Sequence, residues 1–149
     1  MVSRPPSIEE IKAFKKAFME GMNPPPTFDL FKGAFVEVDV EGQSLTCSFQ
    51  PGAELVNPAG MVQGGIISAM MDDTMGPLGL LMSAGKAFPS STDIHTRYYR
   101  GVKPGEKLIC VAKISKMGRT ICYTEATLTN EKGQEVAHCV QTASLQRLG

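Results

Sequence analysis

Two periodicities divide this chain. Between positions 34 and 49 apolar and polar side chains alternate: Phe35-Val36-Glu37-Val38-Asp39-Val40 carries its acids on one face, and Leu45, Cys47 and Phe49 alternate again. A period of two is that of a half-buried strand. With Glu41-Gly42-Gln43 as the turn and Pro51-Gly52 as the stop, the segment predicts a β-hairpin. The same period returns after Pro89. Ser91 to Tyr99 alternates with Thr92, Ile94, Thr96 and Tyr98 on one face, and residues 108–115, 121–129 and 135–145 follow as three more β-rich segments. Turn sequences separate them at Val102-Lys103-Pro104-Gly105-Glu106, Met117-Gly118-Arg119 and Asn130-Glu131-Lys132-Gly133.

The helical period appears twice. Ser7 and Glu10 form a capping box, with Ile8, Ile11, Phe18 and Met22 on one stripe, Lys15 interrupting it and Phe14 beside it. Pro24-Pro25-Pro26 cannot continue a helix, so this one ends near Asn23. Residues 1–27 read as an N-terminal helix and a Pro-rich connector, and residues 28–149 as the main domain. The second helical segment, Ile66 to Ala84, holds four methionines and only two charges, Asp72 and Asp73. A segment apolar nearly all round is a buried helix, and Pro77 predicts a kink or an early end. Two strands, one buried helix and four strands imply an α+β domain in which an antiparallel sheet wraps a central helix.

Composition narrows the class. A chain of 149 residues with 42% hydrophobic side chains supports one packed core. Fifteen Lys and Arg balance fifteen Asp and Glu. No general excess of positive charge exists to displace counterions from nucleic acid. No apolar run reaches the length of a membrane span. The opening Met1-Val2-Ser3-Arg4-Pro5-Pro6 lacks the apolar core of a signal peptide, so a cytoplasmic location is expected. Cys47, Cys110, Cys122 and Cys139 each fall in a strand-like segment and are expected as reduced core thiols. With only His95 and His138 to join them, no metal centre and no cofactor are predicted.

Candidate chemistry lies where loop meets helix. In Asn57-Pro58-Ala59-Gly60-Met61-Val62-Gln63-Gly64-Gly65-Ile66 the glycine pair leaves backbone N–H groups open at a helix start. Such groups have no intrahelical acceptors and carry partial positive charge, so they suit a developing oxyanion. On a helical wheel Gly65, Ser68, Ala69, Met75, Gly76 and Gly79 fall on the side of Asp72, whereas Asp73 lies among Ile66, Met70, Pro77 and Leu80. A stripe of mostly small residues admits a backbone or a slim ligand, which favours Asp72 over Asp73 as the reactive acid.

The constellation Asn57…Gly60…Gln63-Gly64-Gly65-Ile66…Asp72 resembles the signature of hotdog-fold acyl-CoA thioesterases, in the branch that includes phenylacetyl-CoA thioesterase. Ser91-Thr92-Asp93-Ile94-His95-Thr96-Arg97-Tyr98-Tyr99-Arg100…Pro104-Gly105 resembles that family's next strand and turn, and Lys116-Met117-Gly118-Arg119-Thr120 a later hairpin. The resemblance implies a hotdog fold with an extra N-terminal helix, acting on acyl-CoA. It gives Gly64 the role of polarising the thioester carbonyl, helped by Gln63 and Asn57, and gives Asp72 that of general base or direct nucleophile. Ser91, or its neighbour Ser90, would orient the water. Gly65, Tyr98, Arg100, Gly118 and Arg119 would join Ser90 in holding substrate. It further implies a homodimer, or a tetramer of two dimers, with Gly64 of one subunit facing Asp72 of the other. The family commonly carries His where this chain has Gln63, and glutamine donates a hydrogen bond but moves no proton near neutral pH. The alternative is a non-catalytic acyl-CoA binding module on the same fold. A hotdog dehydratase or hydratase would need a His before the helix, and none precedes it.

Overall fold

The computed structural model describes residues 4–21 and 23–148. The expected stripe position of Met22 and the reading of the first three residues lie outside the described residues. The elements run α1 (Ile8–Gly21), α2 (Pro26–Phe31), β1 (Ala34–Asp39), β2 (Ser44–Phe49), a 3-10 turn (Ala53–Leu55), α3 (Gly64–Met82), β3 (Ala87–Tyr98), β4 (Leu108–Met117), β5 (Ile121–Asn130) and β6 (Glu135–Arg147). Six antiparallel strands form one sheet in the order β1-β2-β4-β5-β6-β3, curled around α3. This is the hotdog architecture the sequence implied.

The core follows from the two periods. Leu45, Cys47 and Phe49 on β2, Leu108, Cys110, Ala112 and Ile114 on β4, and Cys122, Ala126 and Leu128 on β5 point inward at every second position. Against them α3 buries Met70, Met71, Met75, Leu78 and Leu81 almost completely. Each such side chain contributes roughly 1.5–3 kcal/mol of burial free energy. Alanines at 112, 126, 137 and 143 leave room for the helix on the sheet's inner face.

The capping box forms as expected. The Glu10 N–H donates to Ser7 Oγ at 3.2 Å and the Ser7 N–H to Glu10 Oε2 at 2.7 Å. Glu10 also pairs with Arg4 at 2.8 Å and Lys86 at 3.1 Å, tying α1 to the end of α3.

Three local features depart from the sequence expectation. The Pro-rich connector contains α2, which begins on Pro26, where a missing N–H costs nothing, and ends on Lys32 in the left-handed region. Helix α3 does not stop at Pro77 but continues to Met82; only the hydrogen bond to the Asp73 carbonyl is forgone. Strand β3 begins at Ala87, not Ser91, and runs through Pro89. It pairs only with β6 and so lies at an edge of the sheet, where proline is tolerated.

Candidate active site

Strand β3 crosses α3 along the stripe of small residues. At one end Gly79 meets Pro89: an added Cβ would stand 2.9 Å from the ring Cγ. At the other end the Tyr98 ring lies on Gly64, and its hydroxyl donates to the Gly64 carbonyl at 2.7 Å. Between them Ser68 Oγ bonds Thr96 Oγ1 at 2.6 Å and Tyr98 Oη at 2.8 Å. The stripe read from the helical wheel is therefore largely a seat for this strand, and Gly76 is left open.

Asp72 sits midway along the stripe. Its Oδ1 accepts the Ser91 hydroxyl at 3.3 Å and the Gln141 side-chain amide. Gln141 Nε2 donates also to Ser91 Oγ at 3.0 Å, closing a triangle of three side chains from α3, β3 and β6. Among the described residues no cation pairs with Asp72. Beside it opens a cavity of about 440 Å³. Its walls include Phe18, Phe35, Pro77, Leu80 and Phe88, with Asp72, Asp73, Ser90 and Ser91 at the polar side. The space lies between α1, α3 and the edge of β3, so the N-terminal helix covers part of the site.

Asp73 lines the same cavity but is held differently. Its Oδ2 is buried with no hydrogen-bond partner. Burial pushes its carboxyl above the ordinary carboxylate range, the Thr27 hydroxyl offsets part of that, and the neighbouring Asp72 charge adds to the rise. The acid with two donors and an open cavity in front of it is Asp72.

Nine residues before Asp72, Gln63 is the N-cap of α3, with extended backbone and no side-chain cap bond. Its carbonyl accepts the N–H groups of Ile66 at 3.0 Å and Ile67 at 3.2 Å. Among the described residues the N–H groups of Gly64 and Gly65 have no partner, and a Cβ on Gly65 would meet open space. This is an anion-receptive helix terminus of 19 residues' dipole. The Gln63 side chain is exposed beside it. Asn57 serves the loop that leads there: its Oδ1 accepts the N–H of Ala59 at 3.0 Å and of Met61 at 3.2 Å, while its own N–H bonds the Met61 carbonyl.

The remaining expected residues divide between two ends of the sheet. Arg100 follows Tyr98 at the Gly64 end and, with Tyr99, Glu106, Lys107, Asn130, Glu131 and Lys132, lines an open groove of about 790 Å³. Gly118 and Arg119 form the β4–β5 turn at the Ser90 end, because Ser144 of β6 pairs with both Ser90 and Ile121. The Gly118 N–H donates to the Ile121 carbonyl at 2.8 Å and the Arg119 carbonyl accepts Arg147 Nη2 at 3.0 Å.

Gln141 escaped the sequence reading. Its signal was present: Cys139, Gln141, Ala143 and Leu145 share the inward register of β6, and a glutamine at 3% exposure among them needs a polar partner. The cysteines are buried free thiols, and burial raises all four, Cys47 and Cys110 to about 12. At neutral pH they are protonated and inert.

Comparison with known proteins places the chain in a family. The thioesterase superfamily model matches residues 59–137, which run from the Gly60 loop through α3 to β6. The chain belongs to the thioesterase superfamily. Human acyl-coenzyme A thioesterase 13 is 27% identical over 132 residues, 88% of either chain. The crystal structure of a phenylacetic acid degradation-related protein from Ralstonia eutropha is 26% identical, with a TM-score of 0.77 over 88% of this chain and 98% of that one. A Streptococcus mutans protein solved with acetyl-CoA bound shares the fold at 20% identity, with a TM-score of 0.74 over 86% of this chain and 98% of that one. The expected fold, family and enzyme class are thereby borne out. No helix of the described residues is long and apolar enough to cross a membrane.

Proposed function

We propose that this thioesterase hydrolyses acyl-CoA thioesters to the free acid and coenzyme A, with Asp72 as the reacting carboxylate. The observation that carries the reading is the placement of Asp72: an acid with no cation partner among the described residues, held on one oxygen by Ser91 and Gln141, at the polar wall of an otherwise apolar 440 Å³ cavity. The acyl group occupies that cavity. The thioester carbonyl oxygen is received by the free N–H groups at the start of α3, where charge developing on oxygen meets the positive end of the helix. Water, deprotonated by Asp72, adds to the carbonyl carbon; collapse of the adduct expels the coenzyme A thiolate, which takes up the proton. Direct attack by Asp72, followed by hydrolysis of the anhydride, uses the same groups. Ser91 Oγ accepts from Gln141 and donates to Asp72, so it serves a water by accepting one of its hydrogens. Exposed Gln63 stands where the family commonly has histidine and offers its amide to the carbonyl. Arg100 and Lys132, at the Gly64 end, suit the phosphates of the carrier.

Within one chain Gly64 and Asp72 are separated by about 12 Å along the helix axis, eight residues at a rise of about 1.5 Å. One carbonyl group cannot reach both. The site is therefore completed by a second copy, with Gly64 of one subunit opposite Asp72 of the other. β3 supplies the means: a 12-residue strand paired on one side only, with Ile94 and Tyr98 exposed. A homodimer, alone or doubled into a tetramer, is the expected assembly, working in the cytoplasm.

The test is thiol release from a panel of aromatic and aliphatic acyl-CoAs by the wild type and Asp72→Asn. Loss of turnover by a factor of about 100 or more with acyl-CoA binding retained is expected. Wild-type rates in Asp72→Asn would remove the assignment. Binding without thiol release by the wild type across the panel would favour the non-catalytic module, for which the absence of a histidine before α3 speaks.

A further inference from the structure

Gln141 is the only glutamine among the buried polar side chains of the described residues. It lies on β6 opposite Ile94 of β3 and Thr124 of β5, within the sheet and behind the reactive acid as seen from the cavity. Its amide nitrogen has two hydrogens, and both are used: one on Asp72 Oδ1, the other on Ser91 Oγ. The chemistry fixes the amide's orientation. An ionised carboxylate only accepts, so the face toward Asp72 must be the NH₂ and not the carbonyl. Ser91 then has one proton left, and it too goes to Oδ1. Two donors thus converge on a single oxygen of Asp72.

We infer that Gln141 is a positioning residue of the hydrolytic site: it saturates Oδ1 of Asp72 and orients the Ser91 hydroxyl, so that Oδ2 alone takes the proton from water or attacks the carbonyl. An oxygen that already accepts two hydrogen bonds is the less basic of the pair, so a proton arriving on Asp72 goes to Oδ2. The same contacts lock the carboxylate plane. A carboxylate free to rotate would present either oxygen in many directions, and misplacement of a reacting atom by about 1 Å costs on the order of 100-fold in rate. Backbone alone does not hold Asp72 so. It is on a helix that packs on every strand from β2 to β6, but among the described residues its carboxylate is hydrogen-bonded by Ser91 and Gln141 alone.

The inference rests on the acyl-CoA thioesterase reading of Asp72, and two variants test it apart from that reading. Gln141→Met keeps length and volume and removes both donors. Gln141→Glu keeps the shape and places a second carboxylate against Asp72. Among the described residues Asp73 on the same helix and Cys139 on β6 already interact with the Asp72 charge, and Ser91 is its hydrogen-bond partner from β3. Asp73 and Cys139 are unchanged in both variants, so a moved acid limb reports the new contact. Thiol release is measured as kcat and KM across pH for wild type, Asp72→Asn and both Gln141 variants, with thermal unfolding of each. Gln141→Met is expected to lose kcat by about 10- to 100-fold with KM within about twofold. Gln141→Glu is expected to move the acid limb of kcat/KM to higher pH by about one unit or more, because two carboxylates in contact do not both ionise freely. If Gln141→Met does not fold, the limb shift in Gln141→Glu decides alone. A limb that stays in place in Gln141→Glu overturns the inference, as does a kcat within twofold of wild type in a folded Gln141→Met. If Asp72→Asn itself retains wild-type turnover, the reading of Asp72 fails first; if only Asp72→Asn is impaired, the role of Gln141 alone fails.

Discussion

Two glycines three residues apart on α3 offer a sharp test of how helix and strand pack. An added methyl at Gly76 meets nothing within 4 Å, whereas at Gly79 it would stand 2.9 Å from Cγ and 3.2 Å from Cβ of Pro89. Replacing an interior helical glycine by alanine gains roughly 1 kcal/mol from backbone entropy and helix propensity. At position 76 that gain stands, so Gly76→Ala should stabilise by about 0.5–1 kcal/mol. At position 79 the new carbon lies well inside the carbon–carbon optimum of roughly 3.5–4.0 Å. The atom it meets belongs to a proline ring fixed in β3, which cannot rotate aside. Overpacking of this kind costs about 1–3 kcal/mol. The net for Gly79→Ala therefore runs from about neutral to a loss of about 2 kcal/mol, and the variants should differ by about 1–3 kcal/mol. For a chain of this size each kcal/mol corresponds to roughly 2–4 °C in Tm. Thermal unfolding by circular dichroism, at one protein concentration because self-association links Tm to concentration, reads the difference. A Gly79→Ala protein as stable as Gly76→Ala would refute the claim that the stripe exists to seat β3. Gly76 also lines the cavity, so Gly76→Ala should raise KM for the bulkiest acyl groups while leaving the smallest unaffected.

Two further outcomes follow from the site's geometry. The Asp73 carboxyl is raised by burial, so between the ordinary carboxylate value of about 4 and its raised folded value the unfolded chain gives up the proton first. The stability of Asp73→Asn relative to wild type should therefore increase with pH across that window and stay level on either side; urea unfolding at several pH values checks it, and a difference that falls with pH would contradict it. Tyr98→Phe deletes the hydroxyl shared by the Gly64 carbonyl and Ser68, and should cost about 1 kcal/mol in the same unfolding assay with a drop in kcat, whereas unchanged stability and kcat would mean that Tyr98 only covers Gly64.

Most of the fold was legible because period two and period 3.6 are direct consequences of which faces are buried. Phe35 to Phe49, the three later strands and α3 all announce themselves so. What stayed hidden depends on neighbours that are distant in sequence. Pro89 reads as a stop unless one knows that β3 is an edge strand. α2 hides within a run of prolines because Pro26 occupies the one turn of a helix that tolerates it. Val36 breaks the alternation of β1 with a bulge and lies exposed, a register matter that only pairing with β2 decides. The start of α3 and the small-residue side on which Asp72 lies were legible from motif and wheel. Gln141 was not, because its meaning lies in what faces it across two strands.

Strand β3 shows how one irregularity allows a single strand to serve both ends of α3. Ser91 and Tyr98 are seven residues apart, an odd spacing that puts them on opposite faces of a regular strand. Both nonetheless touch α3, Ser91 through Asp72 and Tyr98 through Gly64. The register shift between Ser91 and Asp93 resolves the contradiction: Thr92 is the extra residue, its hydroxyl bonding the Thr142 carbonyl, and the parity of inward positions changes there. Before the bulge Pro89 and Ser91 face the helix; after it Thr96 and Tyr98 do. The alternation of Thr92, Ile94, Thr96 and Tyr98 read from the sequence is therefore right for the last two contacts and blind to Ser91. Both the acid's hydroxyl partner and the aromatic cover of the helix terminus depend on one inserted residue, which couples the two halves of the site within each chain even though, on the reading above, they act on different substrate molecules.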